Sequence, residues 1–298
     1  MTTDVPRRHW ADMRRGAQLV RALLSGLDGL ALVSLAMLVA LLLLGLFGTW
    51  LPLPDPDAIG ARGRLAPPGA EGGLLGADNL GRDMLARIIQ GIRNTFVVAS
   101  TAVLITALVG AALGMIAGYW RGWLDEVLAR LADVIYSFPA VLMGLLITAV
   151  AGPGSTSVIL AIVLVTLPPM LRIVRVAVQE IAGADFVLTA KVFGASHWRI
   201  LFVHLLPNVL LPILTQAAYS VSIGILVESA LSFLGLGVQP PAASLGSILR
   251  EGSTYINAAP WLVAGPGFFL VLTILSINLL GEGLRGLVDP LRPRELDN

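Results

Sequence analysis

Charged residues in this chain fall in clusters separated by long uncharged stretches. The first stretch runs from Gly29 to Trp50 and ends at Pro52 and Pro54. The second lies between Arg93 and Arg121, about Thr95 to Gly118. Residues 134 to 171 carry no charge, which is too long for one crossing. The run Ala151-Gly152-Pro153-Gly154-Ser155 divides them into two helices joined by a tight turn. A fifth stretch covers Asn208 to Ser229, uncharged but for Glu228, and a sixth Trp261 to Leu280. A helix needs roughly 20 apolar residues to cross the hydrocarbon layer. The pattern therefore predicts an all-α polytopic membrane protein with six transmembrane helices.

Composition supports this. Of 298 residues, 56% are hydrophobic and 13% charged, and mean hydropathy is +0.83. Too few polar groups are present to cover a soluble globule of this size. The first apolar run starts late and is long enough to span, so it reads as a membrane helix rather than a cleaved signal peptide. The chain has no cysteine, which excludes disulfides, thiolate metal sites and cysteine nucleophiles. A net charge of +1 gives no field pointing to nucleic acid.

Six spans place both termini on one side. Arg7, Arg8, Arg14, Arg15, Arg21, Arg121, Arg130, Arg172, Arg175, Lys191, Arg199, Arg285, Arg292 and Arg294 fall on that side. Only Arg62, Arg64, Arg82, Arg87, Arg93 and Arg250 fall on the other. Basic residues collect on the cytoplasmic side, so both termini are expected to be cytoplasmic. The expected organisation is a cytoplasmic tail over 1–28, a first span over 29–50, an external loop over 51–93, a membrane core over 94–285 and a cytoplasmic tail over 286–298. The external loop starts rich in Pro, Gly and Ala and becomes helical near Gly81 to Gly91. A second external segment, 234–260, is rich in Gly and Pro.

Between spans four and five, residues 177–207 form a cytoplasmic loop. Phe186, Val187, Ala190 and Phe193 recur at helical spacing after Asp185. Gly194 suits a left-handed helix end and Ser196 a cap on the next helix. Pro207 starts the return into the membrane. Spacing alone is met by a plain interfacial hairpin linking two spans. The functional reading is a docking element: Gly194, Ala195 and Ser196 let a partner approach closely, with Trp198 and Arg199 as anchors beside them.

These residues resemble the cytoplasmic coupling loop of bacterial ABC importer permeases, the EAA loop: E-A-A, three residues, glycine, nine residues, then I-x-L-P. The matching positions are Leu188-Thr189-Ala190, Gly194, His204 and Leu206-Pro207, with Leu188, Thr189 and His204 departing from the motif. Residues 75–93, LGADNLGRDMLARIIQGIR, resemble the external G-T-D-x-x-G-R-D segment of dipeptide and oligopeptide permeases. Residues 228–241, ESALSFLGLGVQPP, resemble their E-x-x-L-S-F-L-G-L-G-x-x-P-P segment. Residues 278–290 resemble their N-x-x-G-D-G-L-R tail, with Glu282 and Gly286 in place of aspartates; Leu245 stands where the family usually has Trp. The resemblance is to the second, "C" type permease (the DppC/OppC family).

The resemblance implies a permease subunit of an ATP-driven importer for dipeptides or oligopeptides in the bacterial inner membrane. Its implied partners are a similar "B" permease, two ATPase subunits and an external peptide-binding lipoprotein, besides membrane lipid. Related permeases carry glutathione or nickel complexes. The chain itself has no G-x-x-x-x-G-K-[ST] loop, so ATP and Mg are expected in the partner subunits and this chain is not an enzyme. No catalytic or metal residues are expected: the spans show no Ser-His pair, paired aspartates or H-E-x-x-H. His9, His197 and His204 read as interfacial polar residues. A stand-alone secondary transporter would need midplane ion-coupling charges and an internal repeat, and neither is visible.

Asp78, Arg82, Asp83 and Glu228 are candidate external or path residues. Glu228 lies near the outer end of span five. Either it acts in the path or it sits in the headgroup layer, bonded to the Ser232 region, where reaching out to water costs little. Asp133 has the same status on the inner side. Gly110, Gly114 and Gly118 form a small-residue stripe expected to pack against another helix. Pro168, Pro169 and Pro212 are expected to kink spans four and five.

Overall fold

The computed structural model describes residues 29–69 and 73–288. The tail assigned to 1–28 and the residues beyond 288 lie outside that range. So do the five arginines of the first tail and two of those in the last.

Nine helices carry the described fold. They are α1 (Gly29–Phe47), α2 (Met84–Trp120), α3 (Trp123–Tyr136), α4 (Ala140–Ala151), α5 (Ser155–Ile181), α6 (Asp185–Val192), α7 (His197–Phe233), α8 (Leu245–Ser253) and α9 (Trp261–Val288). Among the described residues five helices are long and apolar enough to cross a membrane: α1, α2, α5, α7 and α9. The bent pair α3–α4 makes a sixth crossing if its two helices count as one span.

That bend corrects the third predicted span. The uncharged run from Val134 does not continue as one helix but breaks at Ser137-Phe138-Pro139, where the axis turns by 90°. Pro139 has no N–H and its ring drives Phe138 out of the helical region. Ser137 Oγ closes the end of α3 on Val134 O at 2.7 Å. With 12 residues, α4 spans only about 18 Å, short of the hydrocarbon thickness. The turn at 152–154 is as the sequence predicted. Gly152 and Gly154 have φ of 82° and 147°, and Ser157 Oγ donates to Gly152 O at 2.6 Å.

Helix α2 starts where Asp83 accepts the Ala86 N–H at 3.0 Å. The short external helix expected near 81–91 and the second span are thus one continuous 37-residue helix. The segment 234–260, expected as a loop, contains α8, nucleated by a reciprocal cap between Ser244 and Ser247.

Helices α2 and α5 make the most extensive contact. The glycine stripe explains it. A Cβ on Gly110 would meet the Met170 side chain at 2.8 Å. On Gly114 it would lie 2.7 Å from Leu171 O, and on Gly118 2.7 Å from Arg175 O. Thr106 and Thr166 hydroxyls bond across the same seam at 2.8 Å. In lipid, such close backbone approach and interhelical hydrogen bonding replace the hydrophobic drive that packs soluble helices.

Three apolar cores follow. One joins α1, the first half of α2, the second half of α7, α8 and α9. A middle one joins α2, α5 and α7, with α4 packed against it. The third joins the last turns of α2 and α5 to α6 and the start of α7. It anchors the hairpin described next.

Candidate functional site

The connection after α5 folds as a helical hairpin. Its first arm, α6, carries Asp185 in the first turn and Lys191 in the last. The arm ends in a Schellman motif: Ala195 N donates to Ala190 O at 3.0 Å and Gly194 N to Lys191 O at 3.0 Å. Gly194 takes φ of 76°, and a Cβ there would meet nothing within 4 Å. The second arm starts at once. Ser196 Oγ accepts the Arg199 N–H at 3.3 Å, so Ser196 is its N-cap.

Pro207 stands in the first turn of the regular helix Leu206–Phe233, in keeping with its reading as the start of the return into the membrane. The second arm runs straight into span five as α7. The join is a wide-turned stretch, Ile200–Leu205, in which Leu206 N bonds Leu201 O five residues back. Pro207 brings no N–H, and Asn208 Nδ2 compensates the neighbouring turn by donating to His204 O at 2.6 Å. The hairpin's second arm is therefore continuous with α7.

Val187, Ile200, Leu201 and Leu205 bury the hairpin against Val174 and Val178 of α5. Tyr119 at the end of α2 bonds His197 Nδ1 at 2.8 Å, and Lys191 Nζ lies 5.2 Å from the centre of its ring. Trp120 packs edge-on to Trp198, which stacks on Phe202. The hairpin is thus held by the ends of α2, α5 and α7 together. The other side of the tip is bare. Val192 and Phe193 are each 85% exposed and Trp198 62%. The helical spacing Phe186, Val187, Ala190, Phe193 does not mark one buried face, since only Val187 is buried. Arg199 makes no side-chain bond among the described residues.

At the same end, α3 is tied to α5 by ion pairs. The Arg175 guanidinium grips Asp125 with two nitrogens, Arg172 Nη2 lies 2.8 Å from Asp133 Oδ1, and Arg172 also sits over the Tyr136 ring. Asp133 is thus a structural partner of Arg172.

At the opposite end, Asp78, Arg82 and Asp83 come together as the sequence grouped them. Asp78 Oδ1 accepts Leu80 N and Arg82 N, and its Oδ2 accepts Arg82 Nε at 2.5 Å. Asp83 caps α2 and accepts Arg62 Nε at 3.1 Å. The sequence reading missed Arg87 and Glu251. Arg82 Nη2 and Arg87 Nη2 converge on Glu251 Oε2 at 2.8 and 3.2 Å, which clamps α8 to the start of α2. Arg87 also faces Asp78 at 3.6 Å and Asp57 at 3.8 Å. Helical spacing from Asp83 could have flagged Arg87; nothing local could have flagged Glu251.

Glu228 stands apart from this cluster. Its carboxylate accepts Ser232 Oγ at 2.6 Å, Thr95 Oγ1 at 3.0 Å and Ser229 Oγ at 3.4 Å. Ser232 is the partner the sequence suggested, but Glu228 is fully buried and does not reach towards an interface. Thr95 also accepts Leu245 N at 3.3 Å, so the carboxylate joins α2 and α7 and, through Thr95, touches α8. Among the described residues no group of three His, Asp or Glu side chains is placed to hold a metal ion.

Comparisons with known proteins agree with this architecture. Residues 110–292 match the model of the family described as binding-protein-dependent transport system inner membrane component. The chain is 38% identical to the di/tripeptide transport system permease protein DppC of Pseudomonas aeruginosa over 265 residues, covering 87% of this chain and 88% of that one. It is 36% identical to the glutathione transport system permease protein GsiD of Pectobacterium atrosepticum, covering 72% of each. Among solved structures, the inward-facing MetNI methionine ABC transporter has a chain matching with TM-score 0.56 at 18% identity, covering 68% of this chain and 96% of that one. That likeness is one of fold.

Proposed function

This chain belongs to the family of binding-protein-dependent transport system inner membrane components, and on that premise we propose that it forms half of the translocation path of an ATP-driven importer for dipeptides or oligopeptides. It is a multi-pass inner-membrane transport subunit. A second permease of similar fold completes the path, two ATPase subunits bind ATP and Mg, and an external binding lipoprotein delivers cargo. The α6–α7 hairpin and both termini face the cytoplasm.

The observation that carries this reading is the tip of the hairpin. Apolar side chains this exposed, beyond the last buried turn of α5, call for a protein partner. The same element is welded to α2, α5 and α7, so force applied at Gly194 reaches three spans as a rigid body. An ATPase gripping the tip would shift those spans between two arrangements. Nucleotide binding falls to the partner ATPase subunits in this reading.

The test is ATP-driven peptide uptake by vesicles holding the assembled transporter. Gly194→Asp puts a charge where the partner docks and a side chain where φ is left-handed. The expected result is uptake lowered by about tenfold or more, the loss of roughly 1.4 kcal/mol of coupling, with membrane insertion unchanged. Normal uptake by this variant would sink the assignment. Cargo is a separate matter. The glutathione permease relative supports a second reading, glutathione in place of longer peptides, which competition between the two in the same uptake assay decides.

A further inference from the structure

At the end of the bundle opposite the hairpin, α1, α2 and the segment after α1 enclose a groove of about 500 Å³. Its apolar wall includes Gly45, Gly48, Leu53 and Ile89, and two charged residues, Asp55 and Arg93, share its lining. The other polar side chains there are engaged. Gln90 bridges Asp57 and Ala243 N, and Asn94 donates to Ala243 O at 2.7 Å. Arg93 is exposed and makes no hydrogen bond or ion pair with any described residue. The Asp55 carboxylate accepts only the Asp57 N–H among the described residues, through Oδ1.

Depth fixes the setting. Arg93 and Arg121 bracket the uncharged part of α2. At the rise of an α-helix they are about 42 Å apart, the thickness of a bilayer with its headgroups. Arg93 therefore lies at phosphate level. The last turn of α1 reaches the same level, because Gly45 packs against Ile92 and the Arg93 backbone. Leu46, Phe47 and Trp50 around that turn are exposed, as expected of residues in contact with acyl chains and the interface.

We infer that this groove is a binding site for a zwitterionic, amine-bearing phospholipid of the phosphatidylethanolamine type. The Arg93 guanidinium takes the phosphate, Asp55 Oδ2 takes the headgroup ammonium, and the glycine-lined wall takes the start of one acyl chain. The two opposite charges in one lining are what select this headgroup. An anionic lipid such as phosphatidylglycerol would satisfy Arg93 but offer Asp55 only neutral hydroxyls, with no positive charge to pair it. A choline headgroup has no N–H to give Asp55.

The probe is phosphatidylethanolamine itself, titrated against phosphatidylcholine and phosphatidylglycerol onto the full chain in detergent, with bound lipid counted by native mass spectrometry. Phosphatidylethanolamine is expected to be retained in preference to both. Arg93→Ala should weaken its binding by about tenfold, one charge-assisted contact. Asp55→Asn should keep lipid but lose the preference for ethanolamine over choline. Arg93→Lys should bind at an intermediate level, and Arg250→Ala, an exposed arginine outside the groove, should be unchanged. Equal retention of the three lipids, or full retention by Arg93→Ala, overturns the assignment. A dipeptide shares the same pair of charges, so equilibrium dialysis with Ala-Ala forms the second arm. Saturable dipeptide binding that Arg93→Ala abolishes, with lipid retention unaltered, would give the groove to peptide and overturn the lipid reading.

Discussion

Gly114 shows how much a single missing side chain carries in this fold. A methyl there would stand 2.7 Å from Leu171 O and 2.8 Å from Val174 Cβ, and a backbone carbonyl within a helix has no rotamer by which to yield. Gly114→Ala must therefore push α2 off α5 along the seam that dominates the bundle. The expected cost is about 1–3 kcal/mol, typical of overpacking, seen as a lower unfolding temperature in detergent. Gly183→Ala, where nothing lies within 4 Å, should show no such loss. The spacing of four made the stripe legible in the sequence, because i and i+4 share a helix face. The identity of the opposing helix was not, since one face gives no information about its mate. The ionic cluster divides the same way. Asp78, Arg82 and Asp83 are neighbours in sequence and could be grouped by eye, whereas Glu251 reaches Arg82 across 169 positions. Glu228 is a further case: its polar partners were partly local, but its complete burial depends on α2 and α8 closing over it.

Elements were legible where their ends carry their own chemistry. The hairpin is the strongest instance: Gly194 and Ser196 specify, within three residues, how one helix stops and the next begins. Ser196→Ala should remove the bond to the Arg199 N–H and cost the cap about 1 kcal/mol. Hydrogen exchange at the amides of 197–199 should then quicken, while amides in the buried Leu201 to Leu205 stretch keep their protection, since packing against α5 holds them. Elements were lost where the signal was interrupted or short. Helix α8 has only nine residues and is rich in glycine and polar side chains, so its segment reads as loop until the reciprocal Ser244–Ser247 cap is seen. The break at Pro139 was hidden because charge-free runs report the depth of a segment, not its continuity. At Pro207 the proline does mark the start of the regular helix of span five, and what the sequence does not announce is the wide turn before it, which joins that helix to the hairpin without a break.

At the scale of the whole molecule, the two ends of the bundle are chemically distinct. One is tied by Arg–Asp pairs between α3 and α5 and ends in a bare apolar tip; the other is closed by the Asp78–Arg82–Arg87–Glu251 cluster and folded segments between spans. The hydropathy pattern separated these ends because α2 and α5 are each long enough to reach from one to the other. Sidedness comes only from the bias of arginine, and much of that bias sits in residues outside the described range. The chain's lack of cysteine makes the question directly answerable, since any thiol introduced is the only one present. Leu74 is 74% exposed on the segment before α2, and Val192 is 85% exposed at the hairpin. In intact cells a membrane-impermeant maleimide should label Leu74→Cys and leave Val192→Cys untouched. Permeabilisation should then expose Val192→Cys to the same reagent. The reverse order would place the hairpin outside, where no ATPase could grip it, and would remove the route by which nucleotide drives α5 and α7.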